Sequence, residues 1–177
     1  MIDQTFQLPI ALALSLLLIS AGRHKLRARP RFQASLAAYE LLPGFLLPMA
    51  SRGLPVLELL IGAALLSPAC WPVAGPVAAA LFSAYAFAMA INLIRGREAI
   101  DCGCGDTPQP LSLALLARNL VLVAGAILLT VPDASRQLGT FDFFVIAMAF
   151  AGLALLYIAF EQLTSNASRL KEWRENA

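Results

Sequence analysis

From Val73 to Ile94 the chain runs 22 residues without a charged side chain. A spanning helix needs about 20 apolar residues, with a range of roughly 17 to 25. Four other runs approach the same length: Phe6 to Gly22, Leu54 to Cys70, Leu111 to Val131 and Phe141 to Gln162. Only 14% of the 177 residues are charged and 59% are apolar, against about 25% charged in a soluble domain. A soluble chain of this size cannot cover such a surface with polar groups. The reading is one all-α polytopic transmembrane helical bundle in the lipid bilayer. The start, MIDQTFQ, has no Lys or Arg, so the first run is expected to be a span rather than a cleaved signal.

The stretch from Phe32 to Ala50 is apolar yet carries Glu40, Pro43, Gly44 and Pro48. It reads as an interfacial or re-entrant segment followed by a turn. The tail SRLKEWREN is mixed in charge and reads as a short helix outside the lipid, with Trp173 an interfacial anchor. Orientation follows from loop cations. With five spans, eleven Lys and Arg fall on one side and only Arg136 on the other, with Arg118 inside a span. The N-terminus is then outside and the loop after the third span cytoplasmic. Counting 32–50 as a sixth span divides the cations six against six and puts that loop outside. The loss of bias disfavours it.

That loop reads AIDCGCGDTP, with Cys102 and Cys104 one residue apart. A disulfide needs Cα atoms about 4.4–6.8 Å apart. Residues i and i+2 reach that when bent, and Gly103 permits the bend. So small a ring is strained, and strained disulfides are labile and oxidising. Arg95, Arg97 or Arg118 would lower a thiol pKa, while Asp101 and Asp106 would oppose this. Redox exchange is the preferred chemistry. Thiolate ligation of copper(I) or zinc, and a tight turn whose cysteines are merely small, stand beside it. No complete metal site is expected, since a closed zinc site wants four ligands and His24 is the only histidine. Cys70, at the far end of its span, reads as packed and inert.

Ionisable groups inside spans are costly and usually face the bundle interior. Glu58, Asn92, Arg118, Asn119 and His24 all fall at the helix ends nearest the Cys loop. Each has a plainer reading. Arg118 can snorkel, Asn92 can bond a neighbouring helix, and His24 can be a surface residue in a basic cluster. Their convergence favours a joint role, with Glu58 and Arg118 paired beneath the dithiol.

The segments AGRHKLRARPRFQASLAAYELLP, GLPVLELLIGAALL, INLIRGREAIDCGCG and LARNLVLV resemble the MauE family, the membrane protein of methylamine utilisation. That family is related to DoxX-like four-helix membrane proteins. The resemblance covers about residues 8 to 130 and places Tyr39, Pro43, Glu58, Cys102, Cys104, Arg118 and Asn119 on motif positions. It implies a four-helix core, with the fifth span an addition, in a bacterial inner membrane. It also implies a part in maturing an exported redox enzyme such as methylamine dehydrogenase, beside a thioredoxin-like partner. If enzymatic, the chain would be a thiol–disulfide oxidoreductase. The alternatives are a non-catalytic scaffold and a quinone-linked subunit; a quinone is the one cofactor suggested, and no nucleic acid is expected. An exported client wants thiols that reach it. A cytoplasmic loop therefore requires electron relay across the membrane, the six-span topology, or a loop that dips into the bundle.

Overall fold

The computed structural model describes residues 2–97, 99–101, 109–134 and 138–175, with side chains undescribed at 133–134 and 168–175. Six helices account for nearly all of it: α1 (Gln4–Arg27), α2 (Arg29–Ala38), α3 (Leu47–Leu65), α4 (Trp71–Ile94), α5 (Leu113–Leu128) and α6 (Thr140–Glu175). The only ladder among the described residues is a two-residue parallel pair. It joins β1 (Ile2–Asp3) to β2 (Asp133–Ala134) and ties the N-terminus to the α5–α6 connection.

The prolines start helices more often than they stop them. Pro30, Pro48 and Pro72 sit in the first turns of α2, α3 and α4, where a missing N–H costs nothing. This is why α3 begins at Leu47, seven residues before the expected span. The segment expected to be interfacial is divided between the ten-residue α2, a turn, and the start of α3. Ten helical residues reach about 15 Å, half of the hydrocarbon thickness. Four helical stretches among the described residues are long and apolar enough to cross a membrane: Gln4–Arg27, Gly44–Leu65, Pro68–Ile94 and Thr140–Ala167. α5 is shorter, at 16 residues. The expected break before the tail is not seen. α6 continues unbroken for 36 residues, about 54 Å at 1.5 Å per residue, so the tail extends the last span. Trp173 lies outside the described side chains.

α1 and α3 pack antiparallel and very close. A Cβ on Gly22 would lie 2.8 Å from the Pro55 carbonyl oxygen, and one on Gly62 would lie 2.8 Å from Ile19. Ser15 Oγ donates to the Gly62 carbonyl at 2.7 Å. Small residues let helices approach in lipid, where packing rather than water exclusion drives association. α4 and α5 meet the same way at Gly75, whose Cβ would lie 3.0 Å from the Ala126 carbonyl oxygen. Leu14, Leu18, Ile61, Leu65, Trp71 and Phe82 fill the interior. Two side chains close helix ends that would otherwise leave carbonyls bare. Gln7 Nε2 donates to the carbonyls of Leu128 and Val131 at 3.0 and 2.9 Å, and Trp71 Nε1 donates to that of Leu65 at 3.0 Å. α6 packs mainly along α1 and leaves most of its apolar surface outward, Phe143, Leu155 and Leu156 included.

Candidate functional site: a buried ion pair at one end of the bundle

The buried stripe of α1 runs Gln7, Ala11, Leu14, Leu18, Gly22, Lys25, in steps of three or four as one helix face requires. Lys25 therefore points inward. Its side chain is 3% exposed and pairs with Glu58 of α3, 1% exposed. Tyr85 of α4 donates its hydroxyl to the same oxygen, Glu58 Oε1, at 2.8 Å. The Lys25 ammonium also lies 5.1 Å from the Phe32 ring centre and 4.7 Å from that of Tyr85, a cation–π arrangement that strengthens with desolvation. Three helices are thus joined at one charged centre.

The expected Glu58–Arg118 pair is replaced by this one. The reason is register: Lys25 occupies the α1 face opposite Glu58, whereas Arg118 turns toward α6. Arg118, 9% exposed, reaches the Tyr157 hydroxyl at 3.5 Å and stands 5.9 Å from that ring. Glu58 and Arg118 nevertheless line one cavity of about 420 Å³, together with His24, Lys25, Tyr85, Asn119 and Glu161. Asn119 donates to the Leu115 carbonyl one turn back at 3.0 Å.

Tyr39, Asn92 and Asp101 lie elsewhere at the same end of the bundle. Asn92, fully buried, donates to the carbonyls of Tyr39 at 3.3 Å and Ala88 at 3.1 Å. Tyr39 lines a second, apolar cavity of about 250 Å³ with Phe32, Leu36 and Met89; Lys25 and Tyr85 also border it. Asp101 organises the neck of the α4–α5 loop. It faces Pro110 across an antiparallel bridge, accepts from the Gln109 N–H at 3.2 Å, and pairs with Arg31 of α2 at 3.0 Å. Cys102, Cys104 and Asp106 lie outside the described residues, but both strands of the loop meet at Asp101. A second tie stands beside it, Arg97 to Glu40 at 2.5 Å. Donation from Arg97, and then its charge, hold the Glu40 carboxyl below its usual range.

Cys70 corrects one expectation. It is exposed, not packed, because it ends the short helical turn Pro68–Cys70 just before α4. Among the described residues no three His, Cys, Asp or Glu gather as a metal site.

Lys25 and Tyr85 are the site residues that sequence reasoning passed over. Lys25 was hidden in the basic run GRHKLR, although its spacing from Leu18 and Gly22 marks it as inward-facing.

Lipid-length helices around an enclosed ion pair define a multi-pass α-helical membrane protein with a polar site near one face. The chain belongs to the MauE family: the family model described as "Methylamine utilisation protein MauE" matches residues 3–132. Similar proteins named "Methylamine utilization protein MauE" occur in several bacteria. That of Methylophilus methylotrophus is 44% identical over 62% of this chain and 58% of its own length. That of Paracoccus versutus is 36% identical over 85% of this chain and 82% of its own, and that of Methylorubrum extorquens 39% identical over 82% and 79%. The chain spans less than two thirds of the length of the Methylophilus relative. No solved structure matches it.

Proposed function

We propose that this chain is a bacterial inner-membrane accessory protein of methylamine utilisation. It handles thiols and disulfides for an exported redox enzyme, with Cys102 and Cys104 as the active pair. Its family supports the setting. The neck at Asp101 supports the chemistry, since one carboxylate gathers both strands of a Cys-x-Cys loop and ties them to α2. In the exchange, one loop thiolate attacks a disulfide of a thioredoxin-like partner and forms a mixed disulfide. The second loop thiolate resolves it. The loop leaves as a disulfide and the partner as a dithiol, with two electrons and two protons transferred. The reverse exchange with another dithiol restores the loop. Lys25, Glu58 and Arg118 set the charge at this end of the bundle.

Replacing Cys102 and Cys104 by Ser one at a time tests this. One of the two variants should accumulate a mixed disulfide with a partner on non-reducing gels. If neither traps an adduct and the double variant still supports maturation of the client, the protein is a scaffold and the redox proposal fails.

The apolar cavity supports a second reading, in which a quinone receives the electrons and leaves as quinol while the loop dithiol becomes a disulfide. Met89→Trp, which fills that cavity, should then abolish oxidation of the dithiol by an added quinone. Undiminished oxidation rules the cavity out as the quinone site.

A further inference from the structure

We propose that Lys25 is the proton donor to a quinone in the apolar cavity, and that Glu58 recharges it from the polar cavity. The inference rests on the reading that the cavity of about 250 Å³ takes a quinone. The walls suit one: Phe32, Leu36 and Met89 enclose a ring, while Lys25 and Tyr85 border it with N–H and O–H donors. Ile100 before the Cys loop and Leu111 after it share an apolar cluster with Tyr39 and Met89. Both ends of the loop thus stand against the same cavity, on the side away from Lys25.

Lys25 and Tyr85 line both cavities, whereas Glu58, His24, Arg118, Tyr157 and Glu161 line only the polar one. The charged centre is therefore the partition between them. Lys25 and Tyr85 both donate to Glu58 Oε1. Oε2, on a side chain 1% exposed, has no hydrogen-bond partner among the described residues. A buried acceptor left so is costly, and this one belongs to the residue of the centre that borders the polar cavity alone. That cavity reaches His24 and Asn166, at the ends of the spanning stretches Gln4–Arg27 and Thr140–Ala167, where water supplies protons. Closing the loop dithiol to a disulfide releases two electrons and two protons. Both electrons pass to the quinone. One thiol proton goes to the quinone oxygen nearer the loop and the other to water. Lys25 protonates the far oxygen, which completes the quinol, and is left as a neutral amine. Tyr85 is the poorer donor, since its loss of a proton would set a phenolate against the Glu58 carboxylate. Glu58, now a buried carboxylate without its cation, takes a proton at Oε2 from the polar cavity. Rotation of the carboxyl group passes that proton to Lys25 and restores the pair.

The test uses the full chain in mild detergent, its loop reduced, with decylubiquinone added. Lys25→Arg keeps a cation against Glu58, but a guanidinium does not release its proton. This variant should bind decylubiquinone as the wild type does in equilibrium dialysis. At saturating quinone its dithiol should nevertheless be oxidised about 100-fold more slowly. Lys25→Ala should be equally slow. Added ethylamine, entering through the polar cavity, should restore its rate, and guanidinium, of the same charge, should not. A merely structural ion pair would be served by either cation. A wild-type rate in Lys25→Arg, or an ethylamine rescue no better than that by guanidinium, overturns the relay and leaves the quinone reading standing. If decylubiquinone neither binds the wild type nor oxidises its loop, the quinone reading fails and the relay falls with it.

Discussion

Lys25 shows how a single residue changes meaning with its neighbours. In the sequence it is one cation among several in GRHKLR. In the bundle it is a buried charge matched by Glu58 and roofed by two aromatic rings. Taking one member from a buried pair strands the other, which costs about 3–5 kcal/mol, whereas replacing both by packed apolar groups is often neutral. Lys25→Met and Glu58→Leu should each cost that much in denaturation from mild detergent. The double variant Lys25→Met/Glu58→Leu should recover most of the loss. Additive losses in this cycle would mean that the two residues do not act as a pair. Tyr85 should behave as a lesser member, because it donates a single hydrogen bond to an oxygen that Lys25 already holds.

At the scale of elements, glycine at two positions separates contact from mere presence. Gly22→Ala sets a Cβ against the Pro55 backbone, where nothing flexible can yield, and should cost about 1–3 kcal/mol. Gly53→Ala meets nothing within 4 Å and should be neutral or raise stability by up to about 1 kcal/mol through helix propensity. Thermal transitions of the two variants should therefore move apart.

Helix ends set the loops in a comparable way. α4 ends with Gly96 at φ 70°; the Arg97 N–H returns to the Asn92 carbonyl and the Gly96 N–H to that of Leu93, the Schellman arrangement. This turn presents Arg97 to Glu40, which itself takes a left-handed backbone, φ 50°, at the end of α2. Because the Glu40 carboxyl is held below its ordinary value of 4.5, the tie is fully present above that pH. It is lost as pH falls through the lowered value. Hydrogen-exchange protection of the Gly96 and Arg97 amides, which close that turn, should fall in that acidic window, and Glu40→Gln should remove the dependence.

For the whole molecule, orientation follows from the charge bias along the sequence. Setting the buried Lys25 aside, ten cations are expected on the side of the Cys loop against Arg136 on the other. Cys70 and the Cys102–Cys104 loop flank opposite ends of α4, a helix of 24 residues and about 36 Å. After mild reduction, a membrane-impermeant maleimide should label Cys70 in intact spheroplasts and Cys102 and Cys104 only in inverted vesicles. Labelling of the loop in spheroplasts would reverse the orientation.

The sequence alone determined that this chain is helical, that it lies in lipid, and that its polar residues gather at one end. Each follows from patterns along the chain: uncharged runs of spanning length, cations confined to one set of loops, and ionisable groups at matching helix ends. It also drew Glu58, Arg118, His24 and Asn119 toward one place, and they line one cavity. Only the tertiary structure decided who pairs with whom. Glu58 takes Lys25 rather than Arg118 because α1 and α3 pack through Gly22 and Gly62, and that register brings the lysine face to the glutamate. Likewise, Pro48 reads as a breaker until its place in the first turn of α3 shows a helix starting there. Partner choice in a bundle depends on rotation and closeness between helices, quantities that exist only once two helices have met.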